Sequence, residues 1–239
     1  MLIMHQTIGT PAFATAEDPA WRLAPSRDGV EDAVHHDGQF YSLSYTGVVE
    51  AWERDSETGA YTTMAVVPRL TVEENKDGKS PSCSKYLVVG PGGRLMVVLK
   101  YHTVTREQHG QDRWSCSFKV HVLGDNGQWP WKEVKDIGDI ALFVGVNNSV
   151  CLPTTEWPQV KADCVYFTGD GLNRRGLRRS YRIHSDPSDL RAVGMYNLKD
   201  GGVKKIEGLG QRGQSFYAPP AWIMCSSRDT LELVRFFSY

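Results

Sequence analysis

Apolar and polar residues alternate along most of this chain with a period of two, and Gly, Asp and Asn cut the alternation into short runs. That period puts successive side chains on opposite faces of a strand, whereas a helical face repeats at ~3.6. Residues 32–36 lead into Asp37-Gly38, a dipeptide that favours a two-residue hairpin turn. Phe40, Leu43 and Tyr45 follow in a second strand, which Gly47 breaks. Residues 48–52 read as a third strand, with Val49 and Ala51 facing away from Val48, Glu50 and Trp52. Residues 61–67 read as a fourth. Residues 1–31 are mixed and Pro-punctuated, carry no predicted element, and place Trp21 at a domain edge.

The plan then repeats. Residues 68–84 are a charged surface excursion. Residues 86–89 rise to Gly90-Pro91-Gly92-Gly93, and 95–101 return as a buried strand. A polar insertion spans 102–113. Residues 114–123 alternate, with Cys116, Phe118, Val120 and Val122 on one face. A turn at Asp125-Asn126-Gly127 leads to 129–134. A third round begins with 140–146, a tip at Asn147-Asn148, and a return over 150–152. Gly138-Asp139 marks the crossing into this round. A loop carrying Trp157-Pro158 precedes a strand at 164–168. Beyond Asp170 a polar insertion separates the last clear strands, 190–198 and 203–206, from an apolar run at 231–237.

The first hairpin tips of the three rounds, at Asp37-Gly38, Gly92-Gly93 and Asn147-Asn148, are spaced by 55 residues. Units of four strands at that period are the pattern of β-propeller blades, each a small sheet that needs neighbours to bury its faces. The predicted fold is all-β, a propeller-like array of four-stranded antiparallel blades, possible as an incomplete ring. A β-sandwich is the runner-up, because it explains the frequent turns but not the register. The units are 32–67, 85–136 and 139–206, with a tail at 207–239 and an N-terminal extension at 1–31.

Composition sharpens this reading. Seven Trp and ten Tyr favour sheets, and 23 Gly with 12 Pro suit many tight turns. A net charge of -1 offers no general attraction to nucleic acid or to an anionic membrane, so neither is expected as a partner. The opening residues have too short an apolar run for a signal peptide, and no stretch approaches the ~18 apolar residues of a membrane span. A cytoplasmic or nuclear location is expected. The five cysteines, Cys83, Cys116, Cys151, Cys164 and Cys225, have no CxxC or Cys/His zinc spacing, and they read as structural thiols of a reducing compartment.

Candidate chemistry is sparse. Gly208 to Gly213 matches G-x-G-x-x-G, but Pro219 and Pro220 deny it the helix that a dinucleotide site needs, so it reads as an inter-strand loop. His35 and His36 are adjacent in a strand and point to opposite faces, which rules them out as a facing metal pair. No nucleophile-elbow signature is present. No cofactor, metal or catalytic set is expected, and the alternative of a small-molecule enzyme on a propeller scaffold rests only on scattered His, Asp and Ser. Arg174, Arg175, Arg178, Arg179 and Arg182 form one dense basic cluster in the polar insertion, able to meet an acidic partner, a phosphorylated degron or nucleic acid, or to be a solvated loop, which is the favoured reading. Trp157 and Trp222, each beside a proline, are the candidates for exposed contact aromatics. Trp52, Trp114, Trp129 and Trp131 sit in strand patterns and read as packing residues.

Four phrases carry a family likeness. They are V-x-H-D-G-x-F-Y from Val34 with G-x-V-E-x-W from Gly47, G-D-x-A-L-F-V-G within 137–145, D-C-V-Y-F-T-G-D from Asp163, and G-M-Y-N-L-K-D-G from Gly194. In order, they resemble the plant F-box-associated domain of unknown function 295, a KIB-type β-propeller, over residues 19–225. The chain departs from that pattern at Asp163, where Asn is usual, and at Gly169, where an acid is usual. The resemblance implies a non-enzymatic domain that recognises an as yet unknown protein substrate for a cullin-type ubiquitin ligase. Residues 1–31 lack the Leu-Pro-rich helical run of an F-box, so binding to a Skp-type adaptor is not expected. The other alternative is a degraded paralogue without a stable partner.

Overall fold

The structure, a computed structural model, describes residues 2–3, 12–14, 20–26, 28–66, 69–71, 83–106, 112–124, 131–145, 149–168 and 193–206. Among the described residues, sixteen strands and one short 3-10 turn, Pro91–Gly93, make up the regular structure. The chain divides into two compact units, residues 1–99 with 120–133, and 100–119 with 134–239.

In the first unit, strands β1 (Leu2–Ile3), β2 (Ala12–Phe13) and β3 (Arg22–Leu23) form a small antiparallel sheet. The sequence pattern assigned no element here, because two-residue strands are too short to show a period. Next comes a meander of β4 (Asp32–His36), β5 (Gln39–Leu43), β6 (Val49–Arg54) and β7 (Tyr61–Ala65). Asp37 and Gly38 both take positive φ at its first tip, the geometry of the expected hairpin. Register puts Ala33, Phe40, Trp52 and Tyr61 on one face. Phe13 packs there edge-on against Phe40, Trp52 and Tyr61, with centroids 4.8–6.3 Å apart, and Ala24 and Val30 complete the cluster. The Trp52 indole N–H donates to Ser42 Oγ, so the ring's polar edge is satisfied inside the core.

The opposite face of this meander meets β8 (Cys83–Val89). Here the Glu31 carboxylate accepts both the Lys85 backbone N–H and its ammonium, and Asp32 accepts the Leu87 N–H. Strands β8, β9 (Leu95–Arg106), β10 (Asp112–Val122) and β11 (Lys132–Val134) form the second four-stranded sheet, in the order β11-β10-β9-β8. Strands β9 and β10 each contribute residues to both units. Of the expected polar insertion at 102–113, the described residues, 102–106 and 112–113, are strand. Thr103, Val104 and Thr105 are β-branched, and the backbone ladder extends through them.

The second unit holds a sheet in the order β13-β12-β14-β15-β16, formed by β12 (Ile140–Val144), β13 (Val150–Pro153), β14 (Cys164–Phe167), β15 (Gly194–Asn197) and β16 (Val203–Lys205). It is not a plain meander. Strand β13 lies at an edge, and β12 pairs with β14 in parallel, Ala141 opposite Cys164 and Val144 opposite Phe167. A parallel pair needs a crossover rather than a tight hairpin. Residues 154–163 supply it, secured where Asp163 N–H donates to Ile140 O and Thr154 N–H to Asp139 O.

Candidate functional site

Trp157, expected as an exposed contact residue, is only 9% exposed. It packs with Ala141, Phe143, Leu152, Val160, Cys164, Tyr166 and Val193 in the core of the third large sheet. The crossover needs an apolar anchor to lie against the sheet, and Trp157 is that anchor; neighbouring Pro158 is exposed instead. Arg174, Arg175, Arg178, Arg179, Arg182 and Trp222 lie outside the described residues, as do Cys225 and the glycine-rich loop at 208–213. Among the described residues no group of three or more His, Cys, Asp or Glu side chains could hold a metal. His35 lies against Phe40, and His36 Nε2 stands 3.3 Å from the Asp37 carboxylate.

What the structure does assemble is a fixed turn that displays an aromatic ring. Tyr45, assigned to a strand by sequence pattern, is instead on the turn of residues 44–48 and is 58% exposed. Gly47, at φ +87°, closes the turn, and its N–H donates to Ser44 O. Ser44 N–H donates to Val48 O, and Val48 N–H donates to Ser44 Oγ. Ser44 Oγ and Thr46 Oγ1 are 2.9 Å apart, and Thr46 Oγ1 donates to Asp28 Oδ2. From the other side Arg69 Nε donates to Thr46 O at 2.5 Å, and Leu70 N–H donates to Gly47 O. Beneath the ring lies Gly29, where an added Cβ would come within 2.9 Å of Tyr45 Cδ2. The sequence signal for this turn was Ser44 three residues before Gly47, a hydroxyl-capped tight turn.

The second unit carries a charged cluster. Asp163, buried and at φ +54°, accepts the Ile137 N–H through Oδ1 and pairs with Lys199 at 2.6 Å through Oδ2. Asp136 also pairs with Lys199, at 3.3 Å. The bonds from Asp163 and Asp136 hold the Lys199 ammonium above the usual lysine range. The Gly138 N–H, and then Lys199, hold Asp136 below the usual carboxylate range. Every member is engaged in joining loops 136–138, 163 and 199, so the cluster is a structural joint rather than a reaction centre.

Among the described residues, mostly antiparallel sheets, two of them four-stranded, with hardly any helix define an all-β protein of propeller-like architecture. The family model for the KIB1-4 beta-propeller matches residues 1–197, and the chain belongs to that family. It is similar to the F-box protein SKIP23 of Arabidopsis thaliana, 20% identical over 240 aligned residues that cover 95% of this chain and 54% of the relative. The chain thus spans about half the length of that relative. No solved structure matches. Among the described residues no helix is long and apolar enough to cross a membrane.

Proposed function

We propose that this chain is a non-enzymatic protein-recognition module, the substrate-binding part of an F-box type ubiquitin ligase, whose repeating portion is residues 32–206. The observation that carries this reading is the Tyr45 turn. Interface hot spots favour large aromatics whose conformation is set before binding, because little entropy is then lost on contact. Tyr45 meets both conditions: it is 58% exposed, and the turn residues on either side of it, Ser44, Thr46 and Gly47, are tied to Val48, Asp28, Arg69 and Leu70. The family match and the F-box relative support the ligase context.

The test is proximity labelling in plant cells with the full chain carrying a biotin ligase, run beside Tyr45→Ala and Tyr45→Phe. A set of labelled proteins that shrinks in Tyr45→Ala and returns in Tyr45→Phe is expected. An identical set in all three overturns the role of the turn. Purified Skp-type adaptor is expected not to bind this chain directly, and robust binding would overturn the assignment of this chain to the substrate side alone.

A further inference from the structure

We propose that β7 is a docking edge, at which an extended, uncharged segment of a partner polypeptide adds as a fifth strand; this rests on the protein-recognition reading above. Among the described residues, each of the three larger sheets ends, at its last strand in sequence, on an edge: β7, β11 and β16. Exposed edges invite pairing with other chains, and proteins usually guard them with charge, most often Lys. Two of these edges are guarded. Strand β11 is Lys-Glu-Val, and β16 is Val-Lys-Lys. Strand β7 is Tyr-Thr-Thr-Met-Ala, with no charge at any position.

Its geometry suits strand addition. Val66 N–H donates to Val49 O, and the register continues Ala51 opposite Met64 and Glu53 opposite Thr62. Backbone groups alternate inward and outward along an antiparallel edge, so Met64 and Thr62 bond to β6 while Tyr61, Thr63 and Ala65 present theirs outward. Met64 is 57% exposed, a large apolar side chain on a strand whose Thr62 and Ala65 are also exposed. Cross-strand pairs are the unit of sheet stabilisation, so the partner segment carries an aliphatic or aromatic residue opposite Met64 and β-branched residues beside it. A five-residue edge buries far less than the ~1,200 Å² of a stable interface between two globular bodies. That favours a peptide strand over a second copy of this chain.

The full chain is immobilised and used to select from phage-displayed random peptides of about 12 residues, long enough to pair along the whole edge. Selected peptides are then titrated by fluorescence anisotropy against wild type, Met64→Lys, Thr63→Pro and Tyr45→Ala. Met64→Lys installs the missing guard charge. Thr63→Pro removes an outward N–H and leaves the inward ladder intact. Circular dichroism checks that each variant folds, and Met64→Lys alone decides the matter where Thr63→Pro does not. Uncharged, alternating peptides that bind both edge variants about tenfold or more weakly, yet bind Tyr45→Ala as wild type, are the expected result; tenfold is about 1.4 kcal/mol. Peptides that bind Met64→Lys as tightly as wild type overturn the docking edge, and so does failure to enrich any peptide. Peptides lost only in Tyr45→Ala overturn it too, while leaving the recognition reading in place. Self-association of the wild type that Met64→Lys abolishes assigns the edge to a second copy and overturns the peptide partner.

Discussion

The carboxylate of Asp32 accepts the backbone N–H of Leu87 at 2.7 Å, across a separation of 55 residues. That is the same interval that separates successive hairpin tips in the sequence. Its other oxygen accepts the Ala33 N–H at 2.8 Å. A buried carboxylate with both oxygens engaged by backbone donors fixes the start of β4 against the middle of β8. Together with Glu31, which accepts the Lys85 N–H, this side chain sets the register between the first meander and β8, where apolar packing alone would tolerate sliding.

Asp32→Ala leaves the Ala33 and Leu87 N–H groups without their acceptor. Each unsatisfied buried donor costs about 1–3 kcal/mol, so a loss of about 2–6 kcal/mol is expected in urea unfolding. Asp32→Asn is not a rescue. Its amide NH2 must face one of the two N–H donors, so it falls between alanine and wild type. An Asn variant as stable as wild type would show that only one of the two bonds matters.

The Glu31–Lys85 pair, at 2.7 Å, has side chains only 7% and 10% exposed. Removing one partner of a buried pair strands the other charge, at a cost of about 3–5 kcal/mol. Lys85→Met and Glu31→Leu each fall in that range. The double variant loses less than the sum, because neither desolvated charge remains. Thermal or urea unfolding of the four proteins in a double-mutant cycle measures the coupling.

The first meander was legible because its signals are local. Asp37-Gly38 demands positive φ, and the alternation from Ala33 to Trp52 names the inner face. The third sheet was not, since short runs reveal strands but not their neighbours. Nothing within 140–168 distinguishes β13 at the edge from β13 in the middle; the order depends on Trp157 finding a core to enter. The same ambiguity misplaced Trp157, since Trp-Pro in a polar loop looks like a display site. Tyr45 was hidden for the opposite reason: an aromatic at the end of an alternating run resembles one more strand residue.

Trp157→Ala is accordingly a stability variant. Emptying a buried indole site costs about 3–5 kcal/mol, while Trp157→Phe keeps part of the packing and costs less. Denaturant unfolding checks both. Proximity labelling per folded molecule should be unchanged by Trp157→Phe, in contrast with Tyr45→Ala.

The thiols answer to burial rather than to activation. Cys151 is pushed up to about 11 by desolvation, and burial also raises Cys83 and Cys164. At pH 8 a thiol of that pKa is thiolate in only about one molecule per thousand, and thiolate is the reacting species. Iodoacetamide at pH 8, followed by mass spectrometry, should label Cys151 in the folded protein more than about tenfold more slowly than in urea. Equal rates would mean that the β12–β13 hairpin opens readily.

Asp163 joins the crossover to the last hairpin, and its chemistry separates three contributions. It occupies the left-handed region at φ +54°, which Asn and Asp tolerate far better than Ala. It supplies an acceptor to Ile137 N–H, and it holds Lys199. Asp163→Ala forfeits all three, and about 2–4 kcal/mol is expected from the backbone strain and the unsatisfied donor together. Asp163→Asn keeps the backbone preference and one acceptor oxygen, and so loses less than half as much. The ion pairs add a pH dependence. Lys199 is raised, so its contribution is complete below the ordinary lysine range and fades as pH climbs through the folded value. Asp136 is lowered, so its contribution is complete above the ordinary carboxylate range and fades as pH falls through the folded value. Between those limits Lys199→Met should shift the unfolding midpoint by a constant amount. Toward either limit the difference from wild type should narrow. A difference that grows in acid would mean that a group other than Asp136 governs the acid limb.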